Sequence, residues 1–217
     1  LGELLDVEQA LVEEGFPPRI VSLLWDARLL PPDCNGRTRQ SERPVALLKS
    51  ENALIRGLLN RIRRVTAAAS GRSIAETRRA LESALSRLRD VRRHYRLEER
   101  TLLPLLEARG FPGPSRLVRR KHSEVCWLFD QVAHRVAEPD LQAHWPQLRD
   151  GDLYELLDEM EGLIVEEERL LIPVALQRLS DADWVHVAST IESSGPSFAG
   201  PSRTTRPEPE TPPRRAN

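Results

Sequence analysis

His94 and Glu98 stand four residues apart in the stretch HYRLEERTLLPLLE (94–107), within an otherwise apolar helical seam. Residues at that spacing share one helix face, so an imidazole and a carboxylate can address a single object. A metal ion is such an object, because nitrogen and oxygen donors together suit iron, manganese or zinc. His122 falls in the middle of a second apolar stripe, made by Val118, Val125, Phe129 and Val136. Glu167 lies on a third stripe, one turn after Leu163, and Glu51 on a fourth, one turn after Leu47. A carboxylate on a buried stripe needs a partner, since an unpaired buried charge is costly. Two histidines and three carboxylates suffice for one ion with an open position and are marginal for two ions bridged by carboxylates. On iron, the open position is where dioxygen, nitric oxide or peroxide would bind.

The elements that must position these residues are helices. Apolar residues recur at helical spacing from about Pro44 to Val65 (Leu47, Leu48, Leu54, Ile55, Leu58, Leu59, Ile62), and again from about Ser73 to Ala108 (Leu81, Leu85, Leu88, Val91, Leu102, Leu105). In the second of these, Pro104 should kink or fray the last turns and Gly110 should close the helix. A third helix is expected over about Ser115 to Val136, and a fourth from near Asp152 to about Leu179, with Leu153, Leu156, Met160, Leu163, Leu171 and Val174 inward. The segment from Glu167 to Pro173 (EERLLIP) aligns with Glu98 to Pro104 (EERTLLP), so one helix ending occurs twice. Ser180 and Asp183 form a capping box for a short last helix carrying Trp184 and Val185. No alternating strand pattern occurs, and an all-α, up-down four-helix bundle is the economical fold.

Around the bundle, expected over 44–191, three other segments stand out. Residues 1–30 read as a small helical hairpin, 31–43 as a linker rich in Pro, Gly, Asn and charge, and 192–217 as a disordered tail rich in Pro and Arg. The chain of 217 residues is 40% hydrophobic and 30% charged with a formal net charge of -1, so no global electrostatic pull toward nucleic acid or an anionic membrane is expected. No window approaches the roughly 18 apolar residues of a membrane span. With no such span, no apolar leader pattern and only the lone cysteines Cys34 and Cys126, a cytoplasmic location is expected. Because the chain begins at Leu1 and its only methionine is Met160, its natural start is expected to lie upstream.

The runs ERPVALLKSEN (42–52), HYRLEERTLLP, KHSEV (121–125) and EEERLLIPVAL (166–176) resemble the hemerythrin-like HHE cation-binding family, over about Pro44 to Leu179. The hairpin and the SDADWV run resemble a prokaryotic subgroup that often carries a PAS sensor domain downstream; here a proline-rich tail stands where that domain would begin. The resemblance implies metal ligands at His94, Glu98, His122 and Glu167, with Glu51 added from the residue reading. It implies one or two iron ions or another divalent metal, a diatomic ligand such as O2 or NO, and a signalling protein as partner. Two positions depart from the pattern, where Arg43 and Leu163 replace expected histidines. Arginine cannot ligate a metal, and Arg43 pairing with Glu51 or Glu167 would replace the cation.

Each of these residues also has a plainer reading. A histidine on an apolar face is commonly a hydrogen-bonded core residue. Arg43, Glu51, Glu98 and Glu167 could form a buried salt-bridge network that fixes helix register in a metal-free interaction module. Cys126 reads as a small buried hydrophobe, Tyr95 and Trp127 as packing residues, and Glu166 and Glu168 as solvated neighbours. Glu124 has the spacing of an acceptor behind His122. His134, His144 and His186 read as surface histidines. No nucleophile-base pair, phosphate loop or cofactor motif suggests a conventional enzyme, though a di-iron nitric oxide or peroxide reductase shares the same ligand chemistry.

Overall fold

A computed structural model describes residues 38–195 and 197–198. The hairpin expected over 1–30, most of the expected linker and the sequence from 199 onward lie outside the described residues. Helix α1 spans Arg39–Ala67, and a single 3-10 turn leads to α2, Ile74–Leu88. Helices α3, Val91–Arg100, and α4, Leu102–Ala108, continue the direction of α2. Then come α5, Pro112–Ala137, and α6, Leu141–Gln147. Helix α7, Leu153–Glu166, lies between two π-helical turns, Leu148–Asp152 and Glu167–Leu171; α8, Ile172–Arg178, and α9, Asp181–Ser194, close the fold. Among the described residues there is no strand, and no helix is long and apolar enough to cross a membrane.

The ends of the helices follow from local chemistry. α1 starts five residues before the expected Pro44, because Thr38 and Ser41 cap it: the Thr38 N–H donates to Ser41 Oγ at 3.0 Å. Pro44 is tolerated close to that end, where the cost of its missing N–H is smallest. Ser73 and Glu76 form the capping box that starts α2, as Ser180 and Asp183 do for α9. Gly110, with φ +83°, ends α4: its N–H reaches the Glu107 carbonyl at 3.0 Å and the Phe111 N–H reaches Leu106 at 2.9 Å, a Schellman closure.

The long second helix expected over Ser73 to Ala108 is three pieces. It breaks at Arg89–Asp90 and again at Thr101, whose φ of -112° and ψ of -78° leave the helical well. Pro104 explains the second break, since its ring crowds the carbonyl of Arg100 four residues earlier. The break turns Leu103 and Leu106 inward and leaves Leu105 half-buried, contrary to the uninterrupted pattern. The fourth helix likewise begins earlier than expected, at Leu141. Pro173 has no N–H to continue an α-helical ladder, and immediately before it the chain widens by one residue per turn, the Ile172 N–H donating to the Glu167 carbonyl.

The apolar residues form two clusters. One holds Ile55, Leu59, Ile62, Leu81, Leu88, Tyr95, Phe129, Met160 and Leu163 among others; the second holds Val45, Leu48, Leu97, Leu102, Val118, Leu171 and Trp184 among others. In every one of the four long helical stretches, the residues between the two clusters are polar: Glu51 and Asn52, His94 and Glu98, His122, and Glu166 and Glu167. Leu54, Trp127 and Val185 are exposed, Trp127 at 61%, against the expectation that Leu54 faces inward and Trp127 packs. Trp127 follows the inward stripe by one step, which rotates it by about 100° from that face.

Candidate metal centre

All five residues singled out by type and spacing lie in the polar layer between the clusters, and each is 2% exposed or less. Helix α1 brings Glu51, α3 brings His94 and Glu98, α5 brings His122, and the π-helical turn brings Glu167. His94 Nε2 lies 3.8 Å from Glu98 Oε1 and 3.6 Å from Glu167 Oε2. His122 Nε2 lies 3.5 Å from Glu98 Oε2 and 3.8 Å from Glu167 Oε1. Each carboxylate therefore turns one oxygen toward each imidazole.

The outward nitrogens are held in place. His94 Nδ1 bonds to Glu51 Oε2 at 2.7 Å, and His122 Nδ1 to Glu99 Oε1 at 2.9 Å. With Nδ1 so engaged, both rings present Nε2 to the two carboxylates, the orienting role that a carboxylate behind a ligating histidine performs. Glu51 faces the back of His94, so the structure gives it the orienting position and not the central one. Glu99, which the sequence reading passed over, does for His122 what Glu124 was expected to do; Glu124 is exposed. Tyr95 stacks on the His122 ring, with centroids 4.1 Å apart and planes 12° apart.

Inside this frame six atoms lack a hydrogen-bond partner: Nε2 of His94 and His122 and both carboxylate oxygens of Glu98 and Glu167. Buried polar atoms are rarely left so, because each costs the desolvation it has lost. Their separations also suit a cation, since two donors about 2.1 Å from one tetrahedral ion lie about 3.4 Å apart. Nitrogen and carboxylate oxygen are the donor set of iron, manganese and zinc. The residues present fit a metal.

Protons take the cation's part when no metal is bound. Burial opposes charge on His94, yet the Glu98 charge and the facing Glu167 and Glu51 hold its pKa up at about 10. Burial likewise opposes His122, and Glu167, Glu98 and Glu99 raise it to about 11. Burial would raise Glu167, but the two imidazoles pull it down to about 2. Glu98 goes the other way, raised by burial and by the Glu167 charge.

The expected salt-bridge replacement does not form. The Arg43 side chain is 84% exposed and pairs with Glu192 of α9 at 2.7 Å, away from Glu51 and Glu167. Leu163 is fully buried in the first apolar cluster. Glu166, expected to be solvated, is buried and bonded to Lys121, itself buried. Arg56 holds Glu168 through both carboxylate oxygens, at 2.9 and 3.0 Å, which ties the outer side of the π-helical turn to α1. Cys126 is half-buried against the first cluster, in keeping with a small hydrophobe, and Cys34 lies outside the described residues. His134 and His186 are exposed; His144 lies 3.2 Å from Glu138 at the α5–α6 turn, remote in sequence from the layer.

Two expected results follow. Glu99→Ala should weaken metal affinity by about tenfold to a hundredfold, as loss of an orienting carboxylate does, while Glu124→Ala leaves it unchanged in the same titration. Lys121→Met should lower unfolding free energy by about 3–5 kcal/mol in urea denaturation, because Glu166 is left buried without its cation. Lys121→Met combined with Glu166→Leu should recover most of that loss.

The hemerythrin HHE cation binding domain profile matches residues 43–177. No curated protein and no solved structure matches the chain.

Proposed function

From a chain that belongs to the hemerythrin HHE cation-binding family, we infer a protein that holds iron in its polar layer and binds or senses O2, NO or redox state there. The observation that carries this reading is the set of six partnerless buried atoms on His94, Glu98, His122 and Glu167, convergent on one place from three helical stretches. His94 and His122 would each offer Nε2, and Glu98 and Glu167 would each offer oxygen to both sides, which serves one central ion or two ions sharing both carboxylates. Iron held there supplies redox exchange and reversible capture of a diatomic gas. The chain's own residues do the rest. Glu51 and Glu99 fix the imidazoles, Leu163 and Met160 close one side of the layer with apolar surface, and Leu48, Leu102 and Leu171 close the other.

Binding rather than turnover is the reading we favour, because the layer holds no nucleophile paired with a base and the chain carries no flavin or haem motif to deliver electrons. A signalling partner would then read the loaded state. The test is anaerobic loading with ferrous iron, desalting and elemental analysis, followed by absorption spectra under O2 and under NO. One or two ions per chain with a gas-dependent band are expected. Absence of iron, manganese and zinc alike would leave a metal-free helical module.

A further inference from the structure

Helix α9 packs along α1, and its last turn is tied to the bundle at two points. Glu192 pairs with Arg43, and the Arg93 guanidinium donates to the Ser194 carbonyl. Arg93 lies next to His94, so the end of α9 is held beside the polar layer. Gly195 then takes a φ of +68°, a conformation that side chains with a Cβ rarely adopt, and the helix stops. Beyond it Ser197 is 2% exposed, and Phe198 packs against the first apolar cluster. The chain has come back onto the bundle, where the composition pointed to a solvated tail beginning at 192.

What Ser197 touches gives the return a purpose. Its backbone N–H donates to Glu51 Oε1 at 2.9 Å, in a buried bond between residues far apart in sequence. Glu51 Oε2 is the oxygen that holds His94 Nδ1. Both oxygens of Glu51 are therefore engaged, one by the strap and one by the ring. We propose that Ser197 is a positioning residue for the centre: its amide fixes the Glu51 carboxylate, Glu51 fixes the imidazole of His94, and the seated Phe198 keeps water from this side of the layer. The consequence for metal binding rests on the iron reading above, whereas the hold on His94 does not.

The carboxylate would otherwise be free to rotate. A buried Glu side chain with one oxygen unsatisfied can trade its bond to His94 for one with water, and the ring then loses the constraint that aims Nε2 at Glu98 and Glu167. A backbone amide is a good choice for that constraint, since it carries no charge and cannot itself titrate or ligate.

The experiment uses the full chain, labelled with 15N-histidine and observed by NMR metal-free and after loading with zinc, a diamagnetic stand-in. Ser197→Pro deletes the N–H, Ser197→Ala keeps it, and Phe198→Ala unseats the strap without touching the amide. In the wild type and in Ser197→Ala, the His94 Nδ1 proton should exchange slowly. In Ser197→Pro and in Phe198→Ala it should exchange at least about tenfold faster, and zinc affinity should fall by about tenfold to a hundredfold, the range for loss of an outer partner. Slow exchange retained in both Ser197→Pro and Phe198→Ala would overturn the proposal, as would an equal loss in Ser197→Ala. A wild type that takes up no zinc and no iron would defeat the metal reading instead, and the metal-free exchange rates would still decide the strap.

Discussion

Replacing His94 and His122 together by alanine is expected to abolish iron loading and, with it, all thermal stabilisation by the metal. In the wild type, free metal at a hundredfold above its Kd should add about 2.7 kcal/mol, because only the folded layer assembles the donors. For a chain of this size that corresponds to a rise in Tm of about 5–10 °C, read by calorimetry with and without chelator. The double variant should show the same Tm in both conditions. It should also melt below the metal-free wild type, since Glu98 and Glu167 keep their buried negative charge and lose the imidazolium groups that balance it. A metal-induced rise in the double variant equal to that of the wild type would remove these residues from the site.

The second large effect is on pH. His94 and His122, at about 10 and about 11, each carry a proton at neutral pH that a metal must displace, whereas Glu167 at about 2 has none to lose. Two protons released per ion make apparent affinity rise by about a hundredfold per pH unit between pH 6 and 8. Competition titrations with a calibrated chelator would measure this slope, and a flat profile would contradict it. The metal-free protein should show the opposite trend. Its raised histidines contribute stability that is fully present below the unfolded value of about 6.5 and is lost as pH climbs toward 10–11. The lowered Glu167 contributes stability present above about 4.5 and lost as pH falls toward 2, while raised Glu98 offsets part of that acid-side loss. Metal-free protein is thus expected to be most stable in mildly acidic solution, and loading should move that maximum toward higher pH.

The fold and the candidate centre were unequally legible in the sequence. Helical spacing placed His94, Glu98, His122 and Glu167 on inward stripes, and all four converge, because burial on a helix is governed by a period the sequence displays directly. The same reasoning put Glu51 in the layer without distinguishing a central donor from one behind a ring; that depends on which side of His94 it approaches, a matter of helix rotation. Glu99 follows Glu98 by one residue and so points at a different neighbour, α5, which periodicity along its own helix does not reveal. Ser197 lay within a stretch whose composition suggests disorder, and only the tertiary hydrogen bond to Glu51 distinguishes it. The interruptions at Thr101 and at Glu167–Leu171 trace to Pro104 and Pro173. Those prolines were visible, but whether a chain answers a proline with a break or with a widened turn is settled by what must stay buried. At the second site the widened turn holds Glu167, Leu170 and Leu171 inside.

The division of the apolar interior into two clusters has a mechanical consequence. Each cluster can melt with its own share of surface, and between them runs a seam whose attraction comes from ions and protons and only weakly from hydrophobic burial. Without metal such a seam is the weakest cross-section of the rod, so native-state hydrogen exchange should show the halves opening as separate foldons, the half around Phe129 and Met160 apart from the half around Trp184 and Leu103. A bound ion would act as a rivet through that cross-section. It would merge the two openings into one, so that arrival or departure of the metal changes how far a local disturbance spreads along the bundle.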